Sequence, residues 1–203
     1  MRRAMLRVGL TGGLASGKSL VGQALQNLGC HLIQADELGH AMLAPGGAAC
    51  EAVLREFGTG ILDDRGAISR PKLAEEVFEN PERLAVLNGL IHPHVIRREE
   101  ELMEQAAALD PHGIAVVEAA ILIETSSYKR FDRIVLAVCT REQQIERAMR
   151  RDCWTRQETE ARLARQMPLD RKREFADHII DTSGTKEATL RQVRELYEQL
   201  RSR

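Results

Sequence analysis

Gly12-Gly13-Leu14-Ala15-Ser16-Gly17-Lys18-Ser19 fits the phosphate-loop pattern GxxxxGK[ST]. Each residue type in it answers a chemical need. Gly12, Gly13 and Gly17 are read as positions where the backbone takes positive φ or comes close to an anion, so that successive amides and a helix N-terminus face phosphate oxygens. Lys18 supplies a mobile positive charge, and the Ser19 hydroxyl is a ligand for Mg²⁺ between the outer phosphates of a nucleoside triphosphate. Residues 12–20, from Gly12 through Leu14, Ala15, Ser16 and Lys18 to Leu20, are therefore the expected triphosphate site.

The flanks carry the elements such a loop needs. Met5–Thr11 reads as a short buried strand, and Leu20, Val21, Ala24, Leu25 and Leu28 mark one face of a following helix. Gly29 reads as that helix's C-terminal cap, and Cys30–Gln34 as a second strand leading to Asp36. Ligands of parallel α/β sheets lie at the carboxyl ends of the strands, so Asp36 is placed to meet whatever the triphosphate reacts with. It reads equally as the N-cap of a helix starting at Glu37.

From Pro45 to Pro111 no strand is evident. The pattern is helical over Ala48–Phe57, over Pro71–Phe78, and from Pro81 onward with Asn80 as N-cap; His92-Pro93 is expected to interrupt the last helix. Residues 45–110 thus form an expected helical lobe for a second substrate, within a single 1–203 domain. Ile114–Ala120, Arg133–Cys139 and His178–Asp181 read as further buried strands, and Leu190, Val193, Leu196 and Leu200 as the stripe of a closing helix. The fold class is α/β: three layers around a five-stranded parallel sheet. Glu118, inside an apolar strand, needs a partner, and a carboxylate there suits the shell of a loop-bound Mg²⁺.

Between Arg141 and Arg173 basic residues outnumber acidic ones ten to six. Thr140 with Gln143 and Thr155 with Glu158 fit capping boxes, which implies a helical hairpin. Arg147 and Arg151 share one face of its first helix, so residues 147–175 read as a lid that brings arginines over a transferring phosphoryl group.

Composition excludes several classes. A formal net charge of −1 over 203 residues gives no polyanion-binding signature, so nucleic acid is not an expected partner. No apolar run is long enough for a membrane span, and Arg2-Arg3 leads into no export signal. Cys30, Cys50, Cys139 and Cys153 are scattered as reduced thiols would be, which suits a cytoplasmic location. The residues before Met5 read as a short tail.

Asp181-Thr182-Ser183-Gly184 matches a GTPase DxxG element formally, but it lies near the C-terminus and no NKxD occurs. No GxGxxG follows the first strand, so a dinucleotide-dependent oxidoreductase is excluded too. A small-molecule kinase remains. Gly9-Leu10-Thr11-Gly12-Gly13 running into Ser16-Gly17-Lys18-Ser19, Ala35-Asp36, Leu87-Asn88 with His92-Pro93, Leu122-Ile123-Glu124, Tyr128-Lys129, Arg147 to Asp152, Gln166, and Ala176-Asp177-His178-Ile179-Ile180-Asp181 carry a more specific likeness. By these residues the chain resembles the dephospho-CoA kinase family over nearly its whole length.

The resemblance implies transfer of the γ-phosphoryl group of ATP to the ribose 3′-hydroxyl of dephospho-CoA, with Mg²⁺ as cofactor. By position, Asp36 matches the catalytic aspartate, Lys18 and Ser19 the phosphate and magnesium ligands, and Arg147 and Arg151 the lid arginines. Ser183 and Gly184 fall in the adenine-contacting loop; Arg70, His92 and Glu124 fall on the acceptor side. Four departures stand out: Ala15 and Leu20 replace a usual glycine and threonine, Gln34 replaces an additional aspartate, and Ala120-Ile121 replaces Pro-Leu. A methyl at position 15 is tolerable if φ stays negative there. A kinase for another nucleoside or small alcohol, and a non-catalytic nucleotide-binding switch, remain as alternatives.

Overall fold

A computed structural model describes residues 4–78 and 80–202. Met1–Arg3, read above as a tail, lie outside the described residues. The chain divides into two compact units, one of residues 1–34 and 103–203, the other of residues 35–102.

The first unit holds a five-stranded sheet in the order β2-β3-β1-β4-β5, with β1 Leu6–Gly12, β2 His31–Gln34, β3 Ile114–Glu118, β4 Arg133–Val138 and β5 His178–Asp181. Every pairing is parallel. Val8 and Leu10 of β1, Val116 of β3 and Val135 of β4 are fully buried, as strands covered on both faces require. Helix α1 (Lys18–Asn27) and the C-terminal helix (Lys186–Arg201) press Val21, Leu25, Val193, Leu196 and Leu200 into the same core. The connection from β1 runs over β3 to β2, and that from β3 runs the other way over β1 to β4, so the order reverses between β1 and β3. Their carboxyl ends flank the topological switch point, where α/β sheets take their ligands, and the glycine loop begins there.

The second unit is built from α2 (Ala35–Leu43), α3 (Cys50–Phe57), α4 (Arg70–Phe78) and the first part of α5 (Pro81–Leu109). Its own core gathers Ala49, Val53, Phe57, Ile61, Leu73, Val77 and Leu87. The unit starts at Ala35 rather than at residue 45 and ends at Leu102. Asn80 caps α5 as expected, its Oδ1 accepting from Arg83 N at 3.0 Å.

Two local expectations fail. α5 runs unbroken through His92-Pro93, with Pro93 inside it. A mid-helix proline costs about 3 kcal/mol in an isolated helix, but here Leu87, Leu90 and Ile91, on the turns just before it, pack on the unit's core and offset that loss. Asp36 is not an N-cap: α2 begins at Ala35, directly after β2, and Asp36 is its second residue. Its charge still favours the helix from the first turn, through the dipole rather than a capping bond.

Candidate active site

The phosphate loop leaves β1 and enters α1 through Gly17, whose φ of 88° is open to glycine and strained for other residues. A side chain there would also press on Thr182, with Cβ 2.9 Å from its Oγ1. Gly12 and Gly13 serve closeness instead, since among the described residues they are not in the positive-φ set. A Cβ on Gly12 would meet Ser16 Oγ and the Ala137 carbonyl, and one on Gly13 would meet the Gln144 amide. The remaining positive φ in the loop belongs to Ala15, at 51°. The condition under which a methyl there is free of strain is therefore not met. The loop keeps the left-handed turn of its usual glycine, and the Ala15 methyl bears a cost of roughly 1–2 kcal/mol.

Side chains from distant parts of the first unit hold the loop. Gln166 Oε1 accepts from Leu14 N at 2.7 Å, and Gln144 Nε2 donates to Leu14 O at 2.8 Å. Thr182 Oγ1 donates to Ser16 O at 2.8 Å and lies 3.1 Å from Val138 O. Lys18 Nζ sits 3.5 Å from Gly13 O. Leu20, where the resemblance has threonine, is half-buried on α1.

Ser19 Oγ donates to Glu118 Oε1 at 2.8 Å. Glu118 is buried at the end of β3, and Gly22, one turn along α1 from Ser19, makes room for it: a Cβ there would stand 2.9 Å from Glu118 Oε2. A hydroxyl and a carboxylate oxygen in contact at the phosphate loop are the hard oxygen donors Mg²⁺ takes, so these residues fit that ion.

The hairpin expected as a lid comprises α6 (Arg141–Asp152) and α7 (Arg156–Leu163), each opened by its capping box. Arg156 ties the two helices together with a bidentate bond to Glu142, at 2.7 and 2.9 Å. Arg147 donates to Thr182 Oγ1 at 3.1 Å and to Thr182 O at 2.7 Å. Because Thr182 also holds Ser16 O, Arg147 is one residue removed from the loop. Arg151 instead forms a bidentate pair with its neighbour Asp152, at 2.9 and 2.8 Å, which raises its pKa further. Gln143 Nε2 reaches Ser183 O at 2.7 Å. Ser183 N in turn donates to Asp181 at 2.8 Å, and bonding to Ser183 holds the Asp181 carboxyl below its usual range. Gly184 follows in the turn before the last helix.

Beside the loop lies a cavity of about 520 Å³ walled by Gly13, Cys139, Thr140, Gln144, Gln166 and Asp170 among others, a volume within the range of small-molecule sites. Burial pushes the Cys139 thiol up, and the Cys30 thiol to about 12, so neither is a thiolate nucleophile at neutral pH.

Glu124 pairs with Lys172, its Oε1 2.9 Å from Nζ, and accepts from Met167 N at 3.2 Å. In the sequence Lys172 counts only as one of the basic residues of the expected lid; it is fully buried. Thr182 was missed because the formal DxxG match absorbed it.

In the second unit, Asp36 and Arg70 are exposed and His92 is half-buried. Asp36, Glu37 and Arg70 all act on His40, whose pKa is lowered by burial first and by Arg70 second, against the two carboxylates. Asp36 and Arg70 therefore share one neighbourhood of that unit. Burial lowers the pKa of His92.

A phosphate loop at the switch point of a five-stranded parallel sheet, with a Ser–carboxylate pair beneath it and an arginine-bearing hairpin beside it, defines a P-loop phosphotransferase of the small-molecule kinase class. Residues 6–187 match the family model for CoaE, dephospho-CoA kinase. The chain is 36% identical over 196 residues to a dephospho-CoA kinase of Aquifex aeolicus, covering 97% of this chain and 98% of that one. It is 40% identical over 188 residues to one of Carboxydothermus hydrogenoformans, covering 92% and 90%. A crystal structure of TT1252 from Thermus thermophilus superposes with a TM-score of 0.81 at 29% identity, covering 98% and 99%. The chain belongs to the dephospho-CoA kinase family.

Proposed function

We propose that the chain transfers the γ-phosphoryl group of MgATP to the ribose 3′-hydroxyl of dephospho-CoA, giving CoA and ADP. The observation that carries the reading is the Ser19–Glu118 contact at the foot of the phosphate loop, taken with a family match from residue 6 to 187. Ser19 and Glu118 would hold Mg²⁺, which when bound neutralises charge on the outer phosphates. The loop amides and Lys18 grip those phosphates, and Arg147 adds positive charge from the lid of residues 147–175. Arg151 joins it once released from Asp152. Asp36 accepts the proton of the 3′-hydroxyl as its oxygen bonds the γ-phosphorus and the bond to the β-phosphate oxygen breaks. Arg70, His92 and the helical lobe hold the acceptor, and Ser183 and Gly184 face the adenine. Positioning and charge stabilisation supply most of the rate. The enzyme works in the cytoplasm; no helix among the described residues is long and apolar enough to cross a membrane.

The test is incubation with ATP and Mg²⁺ against dephospho-CoA, AMP and uridine as separate acceptors. ADP formation that depends on dephospho-CoA alone is expected. Tight ATP binding with no acceptor-dependent turnover would overturn the reading.

A further inference from the structure

Lys172 ends a four-residue helix, Leu169–Lys172, and none of its side chain is exposed. Its ammonium has three donors and faces three acceptors: Ala120 O at 2.8 Å, Glu124 Oε1 at 2.9 Å and Gly12 O at 3.4 Å. Ala120 O also lies 3.3 Å from Thr11 Oγ1. The end of β1, the segment leaving β3 and the chain returning from the lid thus meet at one buried cation.

A buried ion pair is a poor device for stability alone, since apolar residues of the same volume often serve as well or better. What this one does that a methyl group could not is grip the Gly12 carbonyl. In a trans peptide that carbonyl and the Gly13 N–H lie in one plane and point opposite ways. Holding Gly12 O from the buried side therefore fixes the Gly13 amide in the opposite direction, away from Lys172. The other sides of this peptide are closed by Ser16, Ala137 and Gln144, which a Cβ on either glycine would strike.

We propose that Lys172 is a positioning residue of the phosphate loop: it orients the Gly12–Gly13 peptide and places a fixed positive charge behind the bound phosphates. Glu124 then acts by holding Lys172 rather than by touching the acceptor. The inference rests on the loop binding a nucleotide, as proposed above, and not on the identity of the acceptor.

The test compares wild type with the double variant Glu124→Leu, Lys172→Met, which replaces the pair by apolar side chains. Affinity for MgADP is read with a fluorescent analogue, and KM for ATP and for dephospho-CoA are read separately. Both affinity and KM are properties of the folded fraction. MgADP affinity is expected to weaken, and KM for ATP to rise, by about tenfold or more, while melting temperature holds and KM for dephospho-CoA stays within about twofold. Unchanged MgADP affinity, or an equal rise in both KM values, would overturn the assignment. Should the double variant not fold, Glu124→Gln carries the test: the amide oxygen still accepts from Lys172 and keeps the ammonium on both carbonyls, but the neutralising charge is gone, so MgADP binds about two- to threefold tighter. Unchanged or weaker binding there overturns the proposal too. Because nucleotide affinity is read without turnover, a wrong acceptor assignment leaves this outcome intact.

Discussion

In residues 1–34 and 103–203 the polar groups around the phosphate loop are tied across long stretches of chain: Ser19 to Glu118, Leu14 to Gln166 and Gln144, Arg147 to Thr182, Lys172 to Gly12 and Glu124. In residues 35–102 the described side-chain bonds close locally, as from Lys72 Nζ to Leu62 O at 2.6 Å and from Ala67 N to Asp63 at 3.0 Å. Asp36 and Arg70 there face solvent. The first arrangement is held by the protein's own groups, so its dipoles need little reorganisation when charge shifts during transfer. In the proposed reaction the second presents groups whose final positions the acceptor must help to set. On that proposal, donor chemistry is preorganised and acceptor chemistry is assembled on binding.

The largest effect expected from this contrast is at Asp36. Asp36→Asn should lower kcat by about 10²–10⁴-fold and leave MgADP affinity within about twofold, because in the proposed reaction Asp36 bonds the acceptor hydroxyl and not the nucleotide. Turnover close to wild type in steady-state assays would reduce Asp36 to a favourable charge in the first turn of α2. Next comes the donor side. Ser19→Ala leaves Glu118 as the remaining oxygen donor of the pair, and the Mg²⁺ concentration giving half-maximal activity should rise by about 10–100-fold. An unchanged Mg²⁺ requirement would remove Ser19 from the metal site.

The same contrast governs what could be read from the sequence. All five strands, both capping boxes and the closing helix were legible, because each rests on a local pattern of burial or capping. The loop was legible through residue type and spacing, and the place of Asp36 just past the end of β2 through the strand pattern. Lys172 was not, because a buried cation is defined by partners 52 and 160 residues away, at Ala120 and Gly12, and its basic neighbours disguise it. Pro93 misled for the opposite reason: a strong local signal lost to tertiary packing. Ala15 shows the limit of reasoning from one side chain, since the whole loop dictates φ at that position. Its strain yields a third and smaller prediction. Ala15→Gly should raise unfolding free energy in denaturant titration by at most about 1 kcal/mol, relief of the methyl being partly offset by glycine's freer unfolded chain. A loss of stability would mean the turn is not strained.

The smallest effect expected separates the two units by acid response. Burial holds the His92 pKa below the ordinary value of 6.5, so the folded unit resists a proton that the unfolded chain accepts. Where the unfolded state binds more protons, stability rises with pH. The neutral imidazole therefore contributes fully above about pH 6.5, and its contribution is lost as pH falls below that value toward the folded pKa. Asp181, in the first unit, works the other way in chemistry and lower in pH. Its depressed carboxyl stabilises above the ordinary value of 3.8 and is lost only as pH falls through its folded pKa. Lowering pH from 7.5 to 5.5 should accordingly weaken wild type more than His92→Gln, with Asp181→Asn showing no such difference across the same window. Thermal melts of the three proteins at both pH values measure this directly. Equal losses in wild type and His92→Gln would mean that His92 is hydrated in solution, and that acid sensitivity in the helical unit belongs to His40, where Arg70 adds to the same lowering.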